Sequence, residues 1–401
     1  MGFSPSIMLQ CRKRRIFFAV GAVLWYRTGN MKTQLLKWDS QNAARLANEA
    51  ARILDNGGLV GLPTETVYGI ACRAEPSTIQ RLDLLKGRDV WKRYTLHLGK
   101  AEQVFRYIPA MPAPAKKLLE RALPGPITLV CTLDRSSLER QKDAVGRQVF
   151  DILYRDGSIG IRCPDHQAAI QILSTTAWPI VAPSANPASQ TPATSAQQVL
   201  DYFDGKIEMV IDAPQSCRYQ KSSTVVQITS AGIQVLRDGA VAEEDIRRLA
   251  TVRILFVCTG NTCRSPIAEA LCRKMLAEKF GCRLDELEKI GYKVESFGTA
   301  AAGSPASPEA MQVCSQYGTS LEGHRSRMIT CSQAAEADYI FVMTPGHLEQ
   351  VGRMCPAAKD RLMLLDEAGA IEDPVGSGLD DYRACAEKIK ESLSRRIEQI
   401  L

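Results

Sequence analysis

No pair of the thirteen cysteines in this 401-residue chain has metal-site spacing, and together they form no regular framework. An odd, scattered set of thiols points to a reducing cytoplasm and buried structural cysteines, not to a disulfide scaffold or a metal centre. Internal repeats and low-complexity tracts are also missing, which sets aside solenoids and disordered scaffolds. Acidic residues are absent from residues 1–30, where Arg12, Lys13, Arg14, Arg15 and Arg27 carry most of the formal net charge of +6. The remainder is close to neutral, which excludes a general nucleic-acid-coating surface. The apolar run Ile16 to Tyr26, eleven residues, is too short to cross a bilayer. With four basic residues before it, the run imitates a signal peptide, but no small-residue cleavage site follows. The native start is therefore read as Met31.

What is present is globular: 45% hydrophobic and 23% charged residues, and a length suited to two or three domains. From Met31 to about Ala240, apolar strands alternate with amphipathic helices. A helix is expected over Ala43 to Leu54, ending at Asn56-Gly57-Gly58. Strands are expected at Gly58 to Gly61, Ile127 to Leu133, Ile159 to Ile161 and Thr224 to Ile228. The polar stretch Ala240 to Thr251 reads as a helical connector, with a linker at 241–252 and a domain boundary near residue 250. Beyond it a βαβ pattern follows: strands at 253–257, 293–296 and 339–343, and helices at 266–280, 307–317 and 380–399. That spacing predicts a parallel sheet with helices on both faces.

The octet Cys258-Thr259-Gly260-Asn261-Thr262-Cys263-Arg264-Ser265 lies between the apolar strand Ile254–Val257 and a helix opening at Pro266. A loop at a helix N-terminus aims backbone N–H groups at one spot and favours negative charge there. Arg264 adds a planar bidentate donor, and a cysteine thiolate in such a field is a nucleophile. A thiolate beside a bound phosphate is the starting arrangement for covalent phosphoryl transfer. That chemistry also needs a general acid, for which Asp373, in Glu372-Asp373-Pro374-Val375-Gly376, is the candidate.

Octet and Asp-Pro together resemble the low-molecular-weight protein phosphatase family over residues 253–400. Ser296-Phe297-Gly298-Thr299 and His324-Arg325-Ser326-Arg327 fit the same family. The resemblance implies a flavodoxin-like domain that needs no cofactor or metal and acts on a phosphoprotein. It makes Cys258 the nucleophile, Arg264 the phosphoryl ligand and Asp373 the acid and then base, with Gly260, Asn261, Thr262, Cys263 and Ser265 supporting the loop. Thr262 stands where tyrosine-directed members often carry Ile, and no paired Tyr follows Asp-Pro; both features resemble protein-arginine phosphatases. Arsenate reductases of this fold need two further cysteines about two helical turns apart. Cys331 and Cys355 are too separated in sequence for that, whereas Cys263 is placed for a reversible disulfide with Cys258.

The first half carries its own constellation. Pro63-Thr64-Glu65-Thr66-Val67-Tyr68-Gly69 follows a strand, Lys86-Gly87-Arg88 ends a helix with Lys92 close behind, and Pro183-Ser184-Ala185-Asn186-Pro187 is a Pro-bounded loop. With Arg237 these suggest a polyanion site. In this order, and with Leu123 to Thr128 and Ser222 to Val226, the segments resemble the YrdC family of threonylcarbamoyl-AMP synthases over residues 33–240. The resemblance implies a twisted mixed-sheet α/β domain joining L-threonine, bicarbonate and ATP, with Mg²⁺ as the counter-ion, into threonylcarbamoyl-AMP and pyrophosphate. It places ATP at Lys86, Arg88, Lys92, Ser158, Asn186, Thr194 and Arg237, and threonine at Thr66, His97, Arg162, Ser184 and Ser223. The product feeds a tRNA adenosine modification, so tRNA-modification proteins are the implied partners. The chain departs from the family at Asp89, at Tyr94-Thr95 and around 140–157. The expectation is a bifunctional cytoplasmic enzyme; a phosphatase carrying an idle RNA- or nucleotide-binding module is the alternative.

Overall fold

A computed structural model describes residues 32–87, 92–229 and 232–401. The leader at 1–30 and Arg88 fall outside these residues.

The first half is built on one ten-stranded mixed sheet. Its strands in chain order are β1 (Gln34–Lys37), β2 (Val60–Leu62), β3 (Gly69–Arg73), β4 (Thr95–His97) and β5 (Ile127–Thr132), then β6 (Ser158–Arg162), β7 (Ile180–Val181), β8 (Met209–Asp212), β9 (Thr224–Thr229) and β10 (Gly232–Arg237). The spatial order is β1-β8-β2-β3-β7-β4-β6-β5-β9-β10. The neighbours β4 and β6 run parallel, while β4 and β7 run antiparallel, with Leu96 opposite both Ile161 and Val181. The helix Ala43–Asp55 buries Ala43, Leu46, Ala47, Ala50, Ala51 and Leu54, one stripe at 3.6-residue period, and Gly57 follows it at φ +80°. This helix and Gln167–Thr175 cover one face of the sheet.

The second half is a four-stranded, all-parallel sheet of β11 (Val252–Cys258), β12 (Tyr292–Gly298), β13 (Tyr339–Val342) and β14 (Leu362–Leu364), in the order β12-β11-β13-β14. All of β11 except Arg253 is buried, as a strand covered by helices on both faces must be. The helices Arg264–Phe280 and Leu379–Ile400 pack on one face, and Cys331–Glu336 and Pro345–Met354 line the other. The chain order reverses at β11, with β12 on one side and β13 on the other. In doubly wound sheets ligands sit beyond the carboxyl ends of the strands at this point, and the loop after Cys258 lies there.

The connector is a helix, Glu243–Ala250, whose Ile246 and Ala250 join the core of the first half. Lys117, buried, donates to Thr251 O and, at 2.6 Å, to Asp338 Oδ2. Asp338 also takes Arg253 N at 2.7 Å and Arg121 Nη2 at 3.2 Å. Removing one member of a buried pair leaves the other charge desolvated and uncompensated, so Asp338→Ala is expected to destabilise the chain by about 3 kcal/mol. Urea denaturation checks this, and the double change Lys117→Met/Asp338→Leu is expected to recover most of the loss.

Candidate active sites

Strand β11 ends at Cys258, and the next turn bends sharply because Asn261 has φ +55°. Asn261 is held from all sides. Its Nδ2 donates to Ser265 Oγ at 3.0 Å and to Ser296 Oγ at 2.9 Å, and its Oδ1 accepts Arg327 N at 2.8 Å. Its carbonyl oxygen meets His324 Nε2 at 2.8 Å. The bend brings Asn261 N–H to 3.3 Å from Cys258 Sγ, with Ser265 Oγ at 3.0 Å from the same sulfur. Space behind the loop is closed: a Cβ on Gly298 would fall 2.4 Å from Thr259 O and 3.0 Å from Asn261 N. Glycine is required there by close approach, not by its own backbone angle.

Arg264 is 4% exposed; Nη1 donates to Ile371 O at 3.1 Å and Nη2 pairs with Asp373. Its Nε, buried, has no hydrogen-bond partner among the described residues. Asp373 is half exposed. The three residues expected to carry phosphoryl transfer are therefore assembled at one loop, with the arginine bound to the acid. Cys263 Sγ lies 3.2 Å from Tyr382 OH and 3.4 Å from Ser307 Oγ. Thr262 is half-buried, its O accepting Ser307 N at 2.9 Å; Gly260 keeps the turn free of side-chain bulk.

One group here was not anticipated. His347 joins Thr259 Oγ1 at 2.8 Å through Nε2 and Thr344 Oγ1 at 2.9 Å through Nδ1. Burial, and then the Arg264 charge, lower its pKa. Its signal in the sequence is position: it follows a strand at the carboxyl edge of the sheet, where ligands sit.

In the first half a cavity of about 320 Å³ opens among β3, β4, β6, β9 and the 183–189 loop. Of the expected residues, Lys86, Lys92, His97, Arg162, Ser184, Asn186, Ser223 and Arg237 line it. Thr66 stands behind the wall, accepting from Arg162 Nη2. Ser158 reaches the cavity only through Arg93, whose Nη1 donates to it at 3.1 Å. Thr194 is elsewhere, bonded to Gln198 Oε1 at 2.7 Å at a helix start.

Lys86 is the main departure from expectation. Its Nζ donates to Ser184 O and, at 2.5 Å, to Asn186 O, so it fixes the 184–186 loop as well as supplying charge. Carbonyls about a hundred residues away in sequence are invisible to a motif. Arg162 Nη2 donates to Thr64 Oγ1 at 3.2 Å, Glu65 Oε1 at 3.0 Å and Thr66. Glu65 is fully buried, and neither its Oε2 nor Arg162 Nε has a partner among the described residues. Arg237 Nη2 donates to Ser223 O at 2.8 Å and Ser223 Oγ at 3.2 Å; that hydroxyl is 2.9 Å from Thr128 Oγ1. Tyr94, at a point of family departure, lines the cavity and donates its OH to Asp83.

His97 is buried, with Nδ1 at 3.0 Å from Thr95 O, so Nδ1–H donates and Nε2 is left as an acceptor. Burial, and then the Arg162 charge, push its pKa down to about 3. It is neutral at physiological pH and is not a proton carrier there. The unfolded chain protonates this imidazole below about pH 6.5 while the folded chain does not, so stability falls as pH drops from there toward 3. His166 and His347 are lowered in the same direction. The urea midpoint is expected to be lower at pH 5 than at pH 7.5, and His97→Gln is expected to reduce the difference.

Two families match. Residues 52–239 match the Sua5, YciO and YrdC family, described as telomere recombination, and residues 253–400 match the low molecular weight phosphotyrosine protein phosphatase family. A threonylcarbamoyl-AMP synthase of Pyrococcus abyssi is 31% identical over 221 residues, 55% of this chain and 59% of that protein. The chain thus spans about six tenths of that relative. A human threonylcarbamoyl-AMP synthase is 32% identical over 234 residues, 56% of this chain and 78% of its own. A protein-arginine-phosphatase of Geobacillus stearothermophilus is 35% identical over 154 residues, 37% of this chain and 95% of its own.

Proposed function

The chain belongs to the Sua5/YciO/YrdC family through its first half and to the low-molecular-weight phosphatase family through its second, and we propose that it is a bifunctional cytoplasmic enzyme. The first half makes threonylcarbamoyl-AMP from L-threonine, bicarbonate and ATP. The second removes phosphate from protein side chains, arginine phosphate before tyrosine phosphate.

The observation that carries the first reading is the convergence of Lys86, Lys92, Arg162 and Arg237 with the hydroxyls of Ser184 and Ser223 on one cavity. Carbamate formed on the threonine amine attacks the α-phosphorus, and pyrophosphate leaves. No protein nucleophile is needed; the cations hold the charge that develops on the departing phosphates. Arg162 suits the threonine carboxylate, since its Nε is buried and unmatched. The described lining residues include no carboxylate, a donor set that fits phosphate and not a metal ion. Mg²⁺ therefore enters as the counter-ion of ATP.

In the second half Cys258 Sγ attacks phosphorus while Asp373 protonates the leaving nitrogen or oxygen. Water then attacks the phosphocysteine with Asp373 as base. The loop N–H groups and Arg264 hold the phosphoryl oxygens, Nε being the donor still unmatched. Thr262 and the exposed Val375, in place of Ile and of paired tyrosines, favour phosphoarginine.

The deciding experiment supplies the full chain with ATP, Mg²⁺ and bicarbonate and measures pyrophosphate with and without L-threonine, then compares kcat/KM on phosphoarginine and phosphotyrosine peptides. Threonine-dependent release is expected, together with a higher kcat/KM on phosphoarginine. Absence of release from protein that still cleaves phosphopeptide would leave the first half a binding module.

A further inference from the structure

Apart from both sites, two thiols meet on the other face of the parallel sheet. Ten of the twelve described cysteines are buried and Cys282 is half-buried; Cys331 is exposed. It opens the helix Cys331–Glu336, while Cys355, 0% exposed, closes the helix Pro345–Met354. Although 24 residues apart in sequence, the two are in contact. Cys355 Sγ donates to Cys331 O at 3.4 Å. Neither takes part in the chemistry derived for Cys258.

An accessible thiol backed by a sheltered one is the arrangement of an attacking and a resolving sulfur. We propose that Cys331 and Cys355 are a second redox site, a dithiol that hydroperoxides oxidise to a disulfide independently of Cys258. Cys331, as thiolate, attacks one oxygen of hydrogen peroxide. The O–O bond breaks, leaving a sulfenic acid on Cys331 and hydroxide, which takes up the displaced proton as water. Cys355 sulfur attacks the sulfenic sulfur, the S–O bond breaks, and the oxygen leaves with the Cys355 proton as a second water. Two thiols are oxidised to one disulfide and one peroxide is reduced to two waters. The Cys331 thiol's hydrogen bond to Cys355, and then desolvation, hold the Cys331 pKa above its ordinary value, so the reaction quickens as pH rises.

The location gives the link a consequence. The segment ending at Cys331 braces the catalytic loop through His324 and Arg327 on Asn261, and the helix ending at Cys355 braces it through His347 on Thr259. A disulfide ties the far ends of both braces together.

The test is peroxide treatment of the full chain, blocking of free thiols with N-ethylmaleimide under denaturing conditions, and peptide mapping without reductant. The expected product is a Cys331–Cys355 peptide lighter by two hydrogens. It is removed by dithiothreitol, absent from Cys331→Ser and still formed in Cys258→Ser, with a yield that rises from pH 7 to pH 9. Recovery of Cys355 as free thiol beside a singly oxidised or unreacted Cys331 would overturn the proposal. So would a linked peptide that vanishes in Cys258→Ser. Cys331 is exposed, so its substitution leaves the fold intact.

Discussion

Cys258→Ser is expected to lower turnover of phosphoarginine peptide and of aryl phosphate by at least about 10⁴-fold, with pyrophosphate release by the first half unchanged. The hydroxyl replaces the sulfur with little change in volume and keeps partners in Ser265 Oγ and Asn261 N–H, so the loop should retain its shape. What it loses is nucleophilicity: sulfur attacks phosphorus far more readily than a serine hydroxyl that has no adjacent base. Phosphate affinity should persist, because Arg264 and the loop amides are untouched. Single-turnover measurement with phosphopeptide gives the cleanest reading, since no phosphocysteine can accumulate. Retained turnover would mean that another residue attacks phosphorus and that the loop merely binds phosphate.

Arg162→Ala is expected to abolish threonine-dependent pyrophosphate release and to lower the stability of the first half by about 3 to 5 kcal/mol. The guanidinium is the counter-charge of Glu65, which has no exposure to solvent, and the donor to Thr64 and Thr66. Its removal strands a buried carboxylate and takes with it the proposed threonine contact, while the Thr64 and Thr66 hydroxyls keep each other as partners at 3.0 Å. Glu65→Gln separates the two effects: it relieves the stranded charge in the Ala background and so recovers stability, but it cannot restore a carboxylate-binding cation. Thermal melts and pyrophosphate assays on the single and double variants check this, with phosphatase turnover as the internal control. If Arg162→Ala released pyrophosphate normally, the cavity would have to bind threonine elsewhere.

The strongest local patterns were legible in the sequence. The run at Ile254–Val257 and the Pro266 turn placed β11, the loop and the helix Arg264–Phe280 nearly to the residue, because a strand buried on both faces is apolar throughout. The helices Cys331–Glu336 and Pro345–Met354 and the three-residue β14 were not anticipated. The first is a six-residue helix and the strand has three residues, both too short for a period to emerge. In the first cavity the charged residues were visible as charges, but what they touch was not. Glu65 reads as a turn residue until Arg162, 97 positions away, closes on it. The Lys86 bonds to the 184–186 loop and the meeting of Cys331 with Cys355 are likewise products of tertiary folding that no spacing rule encodes.

Gly298 leaves the catalytic loop vulnerable to a change that alters no catalytic group. The loop backbone rests against this residue so closely that one added methyl would compete with Thr259 O and Asn261 N for the same volume. Space at residue 298 thus behaves as an internal ligand site reserved for hydrogen. Occupied by a methyl, it inhibits from behind the nucleophile, with every group of the phosphatase chemistry still in the chain. On the proposed reading, natural variation at this position would silence the phosphatase half and leave the first half untouched.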